Sequence, residues 1–324
     1  MALGREMRTV LLYAFVAFSL ASPVLAGEPA SIALSAKGPE GALAGTLLKA
    51  GPASPLVLIV PGSGPTDRDG NNSLGVTASS YKLLAEALAG RGISSLRIDK
   101  RGMFGSAKAI PDANKVTVAD YVADVRQWMD VGLQETGGRC IWLAGHSEGG
   151  LIALAAAQSK DRLCGIILIA SPGRNFANIL LEQLRGNPAN AILLPDVEKA
   201  VGVLRSGETI DVSGMHPALQ GLFAPAVQGF LIDLFRYDPA RLASLIDLPM
   251  LIVQGGRDIQ VTATDAGALS KGQPKARLLT IEAMTHTLKR ADGDGPAASL
   301  ATYTNPDLPV MPELIDTIAG FVKP

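Results

Sequence analysis

The stretch CIWLAGHSEGGLIALAAAQ (residues 140–158) decides the fold. Its first five residues are apolar and short enough for a buried strand. Its last nine are apolar at helical length. Between them sits GHSEG, with Ser147 flanked at two residues' distance by Gly145 and Gly149. Strand, G-x-S-x-G and helix together predict a nucleophile elbow, a sharp turn that lifts a serine hydroxyl to the top of a sheet. Side chains at 145 and 149 would collide with neighbouring backbone there. The helix that follows aims its free amides at the same spot, which favours developing negative charge.

Outward from this stretch, short apolar runs alternate with helical ones. PLVLIV (55–60), ISSLRI (93–98), GIILIA (165–170), PMLIVQGG (249–256) and ARLLTI (276–281) read as strands. Residues 81–92, 118–133, 263–270 and 312–322 carry helical spacing. Continuous apolar strands alternating with helices predict a mostly parallel central sheet with helices on both faces. Residues 31–49, broken at Gly38–Pro39, read as a β-hairpin. The rhythm fails over 174–246, where Pro188, Pro195, Pro217, Pro225 and Pro239 interrupt helical segments. That stretch is too long for a connection and is expected to form an inserted helical cap over the carboxyl edge of the sheet. The expected organisation is 1–26 leader, 27–173 first part of the core, 174–246 cap, and 247–324 second part of the core.

A serine hydroxyl needs a base to take its proton. The chain has three histidines, so elimination is feasible. His146 adjoins Ser147, and consecutive residues on an elbow project apart. His216 lies in the irregular insertion and reads as a cap or surface residue. His286 follows the late strand ARLLTI and falls at the carboxyl edge, so it is the expected base. An imidazole base needs its second nitrogen held by a carboxylate. Asp258, directly after PMLIVQGGR, is the expected partner, with Asp265 as the fallback inside a predicted helix. The order Ser147, Asp258, His286 is that of an α/β-hydrolase. The oxyanion would take the backbone N–H of Glu148 and that of Ser63, in the loop PGSGPTDRDGNN (61–72).

These pieces carry a family resemblance. PGSGPTDRDGNN, LLAEALAGRGISSLRIDKRG (83–102), LAGHSEGG (143–150), QGGRD (254–258) and His286 together resemble the α/β-hydrolase serine esterases. Within them, the chain is most similar to the EstD-like branch grouped with serine aminopeptidase S33-type hydrolases. The resemblance implies hydrolysis of short-acyl carboxylic esters without a cofactor, with the catalytic roles on Ser147, Asp258 and His286. The chain departs from the pattern at Met103–Phe104, where two residues rather than one separate Gly102 from Gly105. That makes this loop's shape an open matter.

Composition narrows the rest. A hydrophobic share of 48% against 18% charged residues supports a sizeable buried core. A net charge of −1 offers nothing to nucleic acid. Arg5 and Arg8, an apolar run and then SPVLA (22–26) have the order of a secretory signal, with cleavage expected after Ala26 and an uncleaved anchor as the alternative. Export, periplasmic or beyond, with no stable membrane insertion after cleavage, is the corresponding expectation. Cys140 and Cys164 each precede an apolar run. They read as two small buried residues, or as a disulfide if the two strands start level. An EF-hand loop counted from Asp67 would need Glu at position 78, which is alanine. The glycine-rich loop lacks the Lys-Ser/Thr ending of a phosphate cradle. Three scattered histidines and two cysteines give zinc no adequate ligand set, so no metal is expected. Arg68 reads as a contact for a substrate carboxylate or as a structural ion pair. Asp99, Lys100 and Arg101 read as loop-bracing ion pairs. The expected partner is a small ester. A peptidase, an amidase or a thioesterase could use the same triad, and a binding module that lost turnover is the rival of another class.

Overall fold

The computed structural model describes residues 30–323. The expected leader and its cleavage site lie outside them. Among the described residues the chain builds one eight-stranded sheet in the order β1-β2-β4-β3-β5-β6-β7-β8. The first two strands, β1 (Ala30–Lys37) and β2 (Ala42–Lys49), form the expected hairpin, and β2 lies antiparallel to β4 (Ser94–Ile98). All other pairings are parallel, through β3 (Leu56–Val60), β5 (Ile141–His146), β6 (Leu163–Ile169), β7 (Met250–Gly255) and β8 (Arg277–Ile281). This is the mostly parallel sheet that the alternation of runs predicts, in the α/β-hydrolase fold that the family resemblance implies.

The continuous apolar strands have a physical cause in the two covered faces. In β6, Ile166 and Leu168 belong to the core on one side of the sheet, and Ile167 and Ile169 to the core on the other. Period-two side-chain direction makes both sets apolar when both faces are buried. The helices α1 (Ser80–Gly90) and α11 (Pro312–Val322) cover one face; α2 (Val118–Thr136), α3 (Glu148–Ala156) and α9 (Ala263–Gly272) cover the other. The start of α2 is set by a capping box between Thr117 and Asp120, and its end by Gly137 at φ 68°. Helix α3 is apolar all round because it packs against the sheet, α2 and the helical turn Pro239–Ser244.

Residues 174–246 are helical among the described residues. They contain α4 (Phe176–Arg185), α5 (Leu194–Arg205), α6 (Pro217–Leu222), α7 (Pro225–Leu234) and α8 (Pro239–Ser244). Four of the five prolines flagged in the sequence stand in the first turn of a helix, where a missing N–H costs nothing; Pro188 opens a short 3-10 turn in the same way. Prolines that looked like interruptions therefore mark helix starts. Most of this stretch has its own apolar cluster, built on Val197, Val201, Leu204, Leu219 and Phe223. Helix α8 differs, since Ala243 joins the core beneath the sheet. A short helix, α10 (Pro296–Ala301), precedes α11.

The two cysteines correct the favoured expectation of separate buried thiols. They are half-buried and bonded to each other, with their Cα atoms 5.2 Å apart. Cys140 stands one residue before β5. Cys164 lies at the irregular register step between β5 and β6, which brings the two level. In the chain-entropy account, closing a loop with a sequence separation of 24 stabilises the fold by about 3 kcal/mol. The Cys140→Ala/Cys164→Ala variant is expected to lose that amount in urea unfolding followed by tryptophan fluorescence, with little change in denaturant slope.

Candidate active site

The chain leaves β3 for β4 on one side and returns to β5 on the other. The loops after β3 and β5 therefore part at a topological switch point, where open α/β sheets place their ligand crevice. Val60 is level with Gly145, so the loops starting at Pro61 and His146 emerge side by side. Ser147 sits in the turn at φ 53° and ψ −129°, a strained conformation for a residue with a Cβ. The flanking glycines are needed for space. A Cβ on Gly145 would overlap the Gly149 carbonyl, and one on Gly149 would overlap the carbonyls of Val60 and Pro61. The turn is tight because three backbones meet in it.

His286 lies in the loop after β8, and Asp258 in the loop after β7. The two strands are neighbours, and His286 Nδ1 meets Asp258 Oδ2 at 2.8 Å. The other carboxylate oxygen accepts from the N–H groups of Gln260 at 2.8 Å and Val261 at 3.0 Å. The Asp258 side chain is buried, and apart from His286 its partners are N–H groups of its own loop, which fix its orientation. Neither the Nε2 of His286 nor the hydroxyl of Ser147 is hydrogen-bonded among the described residues. Both residues line one cavity of about 110 Å³, together with Gly62, Ser63, His146, Gln260 and Tyr303.

His146 does not reach this reaction path. Its Nε2 lies 2.9 Å from the carbonyl oxygen of His286, which can only accept, so Nε2 carries the proton. Nδ1 is then an acceptor and takes the Tyr81 hydroxyl at 2.7 Å. The Tyr81 oxygen in turn accepts the N–H of Gly62 at 3.0 Å. One hydrogen-bonded chain thus runs from the loop after β3 to the backbone of His286. Tyr81 was not legible from the sequence, where it is one apolar position in an amphipathic helix. Burial, then the neighbouring His286, pull the His146 pKa from 6.5 down to about 3.

The N–H groups of Ser63 and Glu148 have no acceptor among the described residues. Gly62, next to Ser63, already donates to Tyr81, so of these two neighbours Ser63 keeps its N–H free. A serine on a strained turn, an imidazole held by a carboxylate and two free N–H groups are the parts acyl transfer requires.

The model of the family described as serine aminopeptidase, S33, matches residues 73–290. The chain belongs to this family. Its matched span contains Ser147, Asp258 and His286 and leaves out the Ser63 loop. Esterase EstD of Thermotoga maritima is 28% identical over 246 residues, which cover 74% of this chain and 56% of that protein. The chain thus spans only a little over half the length of this relative. Est1E from Butyrivibrio proteoclasticus shares the fold at a TM-score of 0.57 and 18% identity, over 90% of this chain and 99% of that one. A puromycin-hydrolyzing peptidase of Mycobacterium tuberculosis gives the same TM-score, 0.57, and 18% identity, over 93% of this chain and 40% of that one.

The other residues singled out in the sequence of this S33 member have structural partners or places. Arg68 pairs with Asp99 at 2.5 Å, which decides between its two readings. Arg101 pairs with Asp120 at 2.9 Å and Asp124 at 2.7 Å. Asp265, the fallback carboxylate, is fully buried under Arg174 and accepts the N–H of Gly173. His216 is exposed and caps α6 by accepting from the Ala218 N–H. Asp67 turns its loop by accepting from Asp69 and Asn71. The extra residue at Met103–Phe104 opens a short 3-10 helix, Phe104–Ala109.

His146 gives the fold a pH dependence of defined sign. The unfolded imidazole binds a proton below about 6.5 and the folded one only near 3, so this stabilisation is complete above pH 6.5 and is lost as pH falls toward 3. In that window the slope contributed is about 1.4 kcal/mol per pH unit. Unfolding free energies from urea melts at pH 7 and pH 5 are expected to differ through this group by about 2 kcal/mol in the wild type, and by much less in His146→Gln.

Proposed function

We propose that this chain hydrolyses short-acyl carboxylic esters through an acyl-enzyme on Ser147. His286 Nε2 takes the hydroxyl proton as the Ser147 oxygen attacks the ester carbonyl. Asp258 holds the imidazole in the correct tautomer and stabilises its cation. The N–H groups of Ser63 and Glu148 receive the oxyanion. The imidazolium protonates the leaving alcohol, and the tetrahedral adduct collapses to an acyl-Ser147. Water, deprotonated by His286, then releases the acid and restores the hydroxyl. Each residue does this with a side chain or backbone group of its own, and no cofactor or metal enters a step.

The observation that carries this reading is the shared cavity, into which Ser147 and a carboxylate-held His286 both open with their reactive atoms unengaged. Its volume, about 110 Å³, favours a short acyl group. Apart from the two histidines, the cavity lining is uncharged: glycine, serine, threonine, asparagine, glutamine, valine and tyrosine. An aminopeptidase has to bind a substrate ammonium, for which a carboxylate in the lining is the natural partner. The neutral lining supports an uncharged ester instead, as does the resemblance to a relative named an esterase. The Cys140–Cys164 bond supports export to an oxidising compartment.

A series of nitrophenyl esters of increasing acyl length, run beside aminoacyl-nitroanilides, tests the assignment. Acetyl and butyryl esters are expected to give the highest kcat/KM. Ser147→Ala is expected to lose fluorophosphonate labelling and at least about 10⁴-fold in kcat, and Asp258→Asn about 10⁴-fold. Faster turnover of the anilides would replace the esterase reading by an amidase one. Undiminished hydrolysis by Ser147→Ala would remove both.

A further inference from the structure

Lys100 stands two residues after the end of β4 and is 5% exposed. Its ammonium donates to the carbonyl oxygen of Gly62 at 2.8 Å and lies 3.5 Å from a carboxylate oxygen of Glu148. It also stands 5.4 Å from the centroid of the Tyr121 ring. Burial lowers the pKa of this lysine, and Glu148 acts against that fall. A buried ion pair is a poor source of stability, since an apolar pair of similar volume serves as well or better. The contacts of Lys100 point to another use.

The Gly62 carbonyl and the Ser63 N–H belong to one peptide unit. In a trans peptide the C=O and N–H point in opposite directions. Holding the Gly62 oxygen toward β4 therefore turns the Ser63 N–H the other way, toward the cavity that Ser63 and Ser147 both line. A positive charge on the oxygen also polarises the unit and strengthens its N–H as a donor. Tyr81 holds the preceding N–H, on Gly62, so the loop is clamped on both sides of the peptide that matters.

We propose that Lys100 is a positioning residue for acyl transfer, aiming and polarising the Ser63 N–H through the Gly62 carbonyl so that it meets the oxyanion. This rests on the acyl-transfer reading above. Lys100 also offsets a charge that would oppose the reaction. Glu148 Oε1 is buried without a hydrogen bond, one residue from the nucleophile, and Lys100 is its counter-ion among the described residues. An uncompensated carboxylate there would repel an oxyanion.

The two effects separate in the variant Lys100→Met/Glu148→Gln, read against Glu148→Gln alone. Removing both charges leaves no unpaired buried ion, so the double variant retains the fold, checked by circular dichroism. If Lys100 acts through the Gly62–Ser63 peptide, the double variant loses about 10–100-fold in kcat, with KM within about twofold of its reference. Affinity for a short alkylboronic acid, which forms a tetrahedral anion on Ser147, falls by the same factor. An unchanged kcat overturns the proposal, and so does a fall in kcat with undiminished boronate affinity. Should the double variant fail to fold, Lys100→Arg keeps the charge and displaces the donor, and the same parallel loss is required of it. Hydrolysis that depends on Ser147 but not on Lys100 defeats only this proposal. Hydrolysis independent of Ser147 defeats the acyl-transfer reading and this proposal with it.

Discussion

The structure depends on backbone crowding where β3, β5 and α3 meet. Gly149 lies against the carbonyls of Val60 and Pro61, and Gly145 against the carbonyl of Gly149. That contact leaves no room for side chains and forces the chain through Ser147 at φ 53°. The strained serine is a consequence of two secondary-structure elements joined with no intervening loop. The same contact places the loop after β3 beside the nucleophile and starts α3 with its free amides at the reacting position. Packing, turn geometry and electrostatics at the site therefore have one origin.

Around that contact the site is held by partners several elements away. Asp258 is oriented by its own loop and in turn orients His286. His146, beside the nucleophile, spends both ring nitrogens on linking Tyr81 to the backbone of His286. Lys100 reaches from the end of β4 to the Gly62 carbonyl. Each of these groups is buried and committed to a neighbour, whereas the Ser147 hydroxyl, the His286 Nε2 and two N–H groups are left free. A preorganised site has this form, with the supporting groups satisfied and the reacting groups available.

The helical insertion has a different physical character. Most of it is held by its own apolar cluster, while α8 is anchored beneath the sheet through Ala243 and Ile246. It meets the loops at the edge of the sheet in two places. Gln183 of α4 donates to the carbonyl of Gln260 in the loop after β7 at 2.8 Å, and Val227 and Phe230 of α7 face Gly64, Pro65, Met103 and Phe104 across an apolar cavity of about 490 Å³. The extra residue of the Met103–Phe104 loop thus lies where α7 meets the loops after β3 and β4.

Sequence alone determined the elements and singled out the candidate reacting residues. Strand and helix periods are local properties, and the two-sided burial of a parallel sheet writes itself into each strand as an unbroken apolar run, as in GIILIA (165–170). Glycine spacing around Ser147, and the positions of Asp258 and His286 just after late strands, were readable because the fold places such positions at one edge. The tertiary structure alone decided what depended on register and approach. The pairing of Cys140 with Cys164 turns on an irregular step between β5 and β6. The cap prolines read as breaks until the backbone showed them in first turns. Tyr81 and Lys100 carry no motif, because a hydrogen bond to the Gly62 peptide is made by groups 19 and 38 residues away, and sequence distance says nothing of which side chain fills that space.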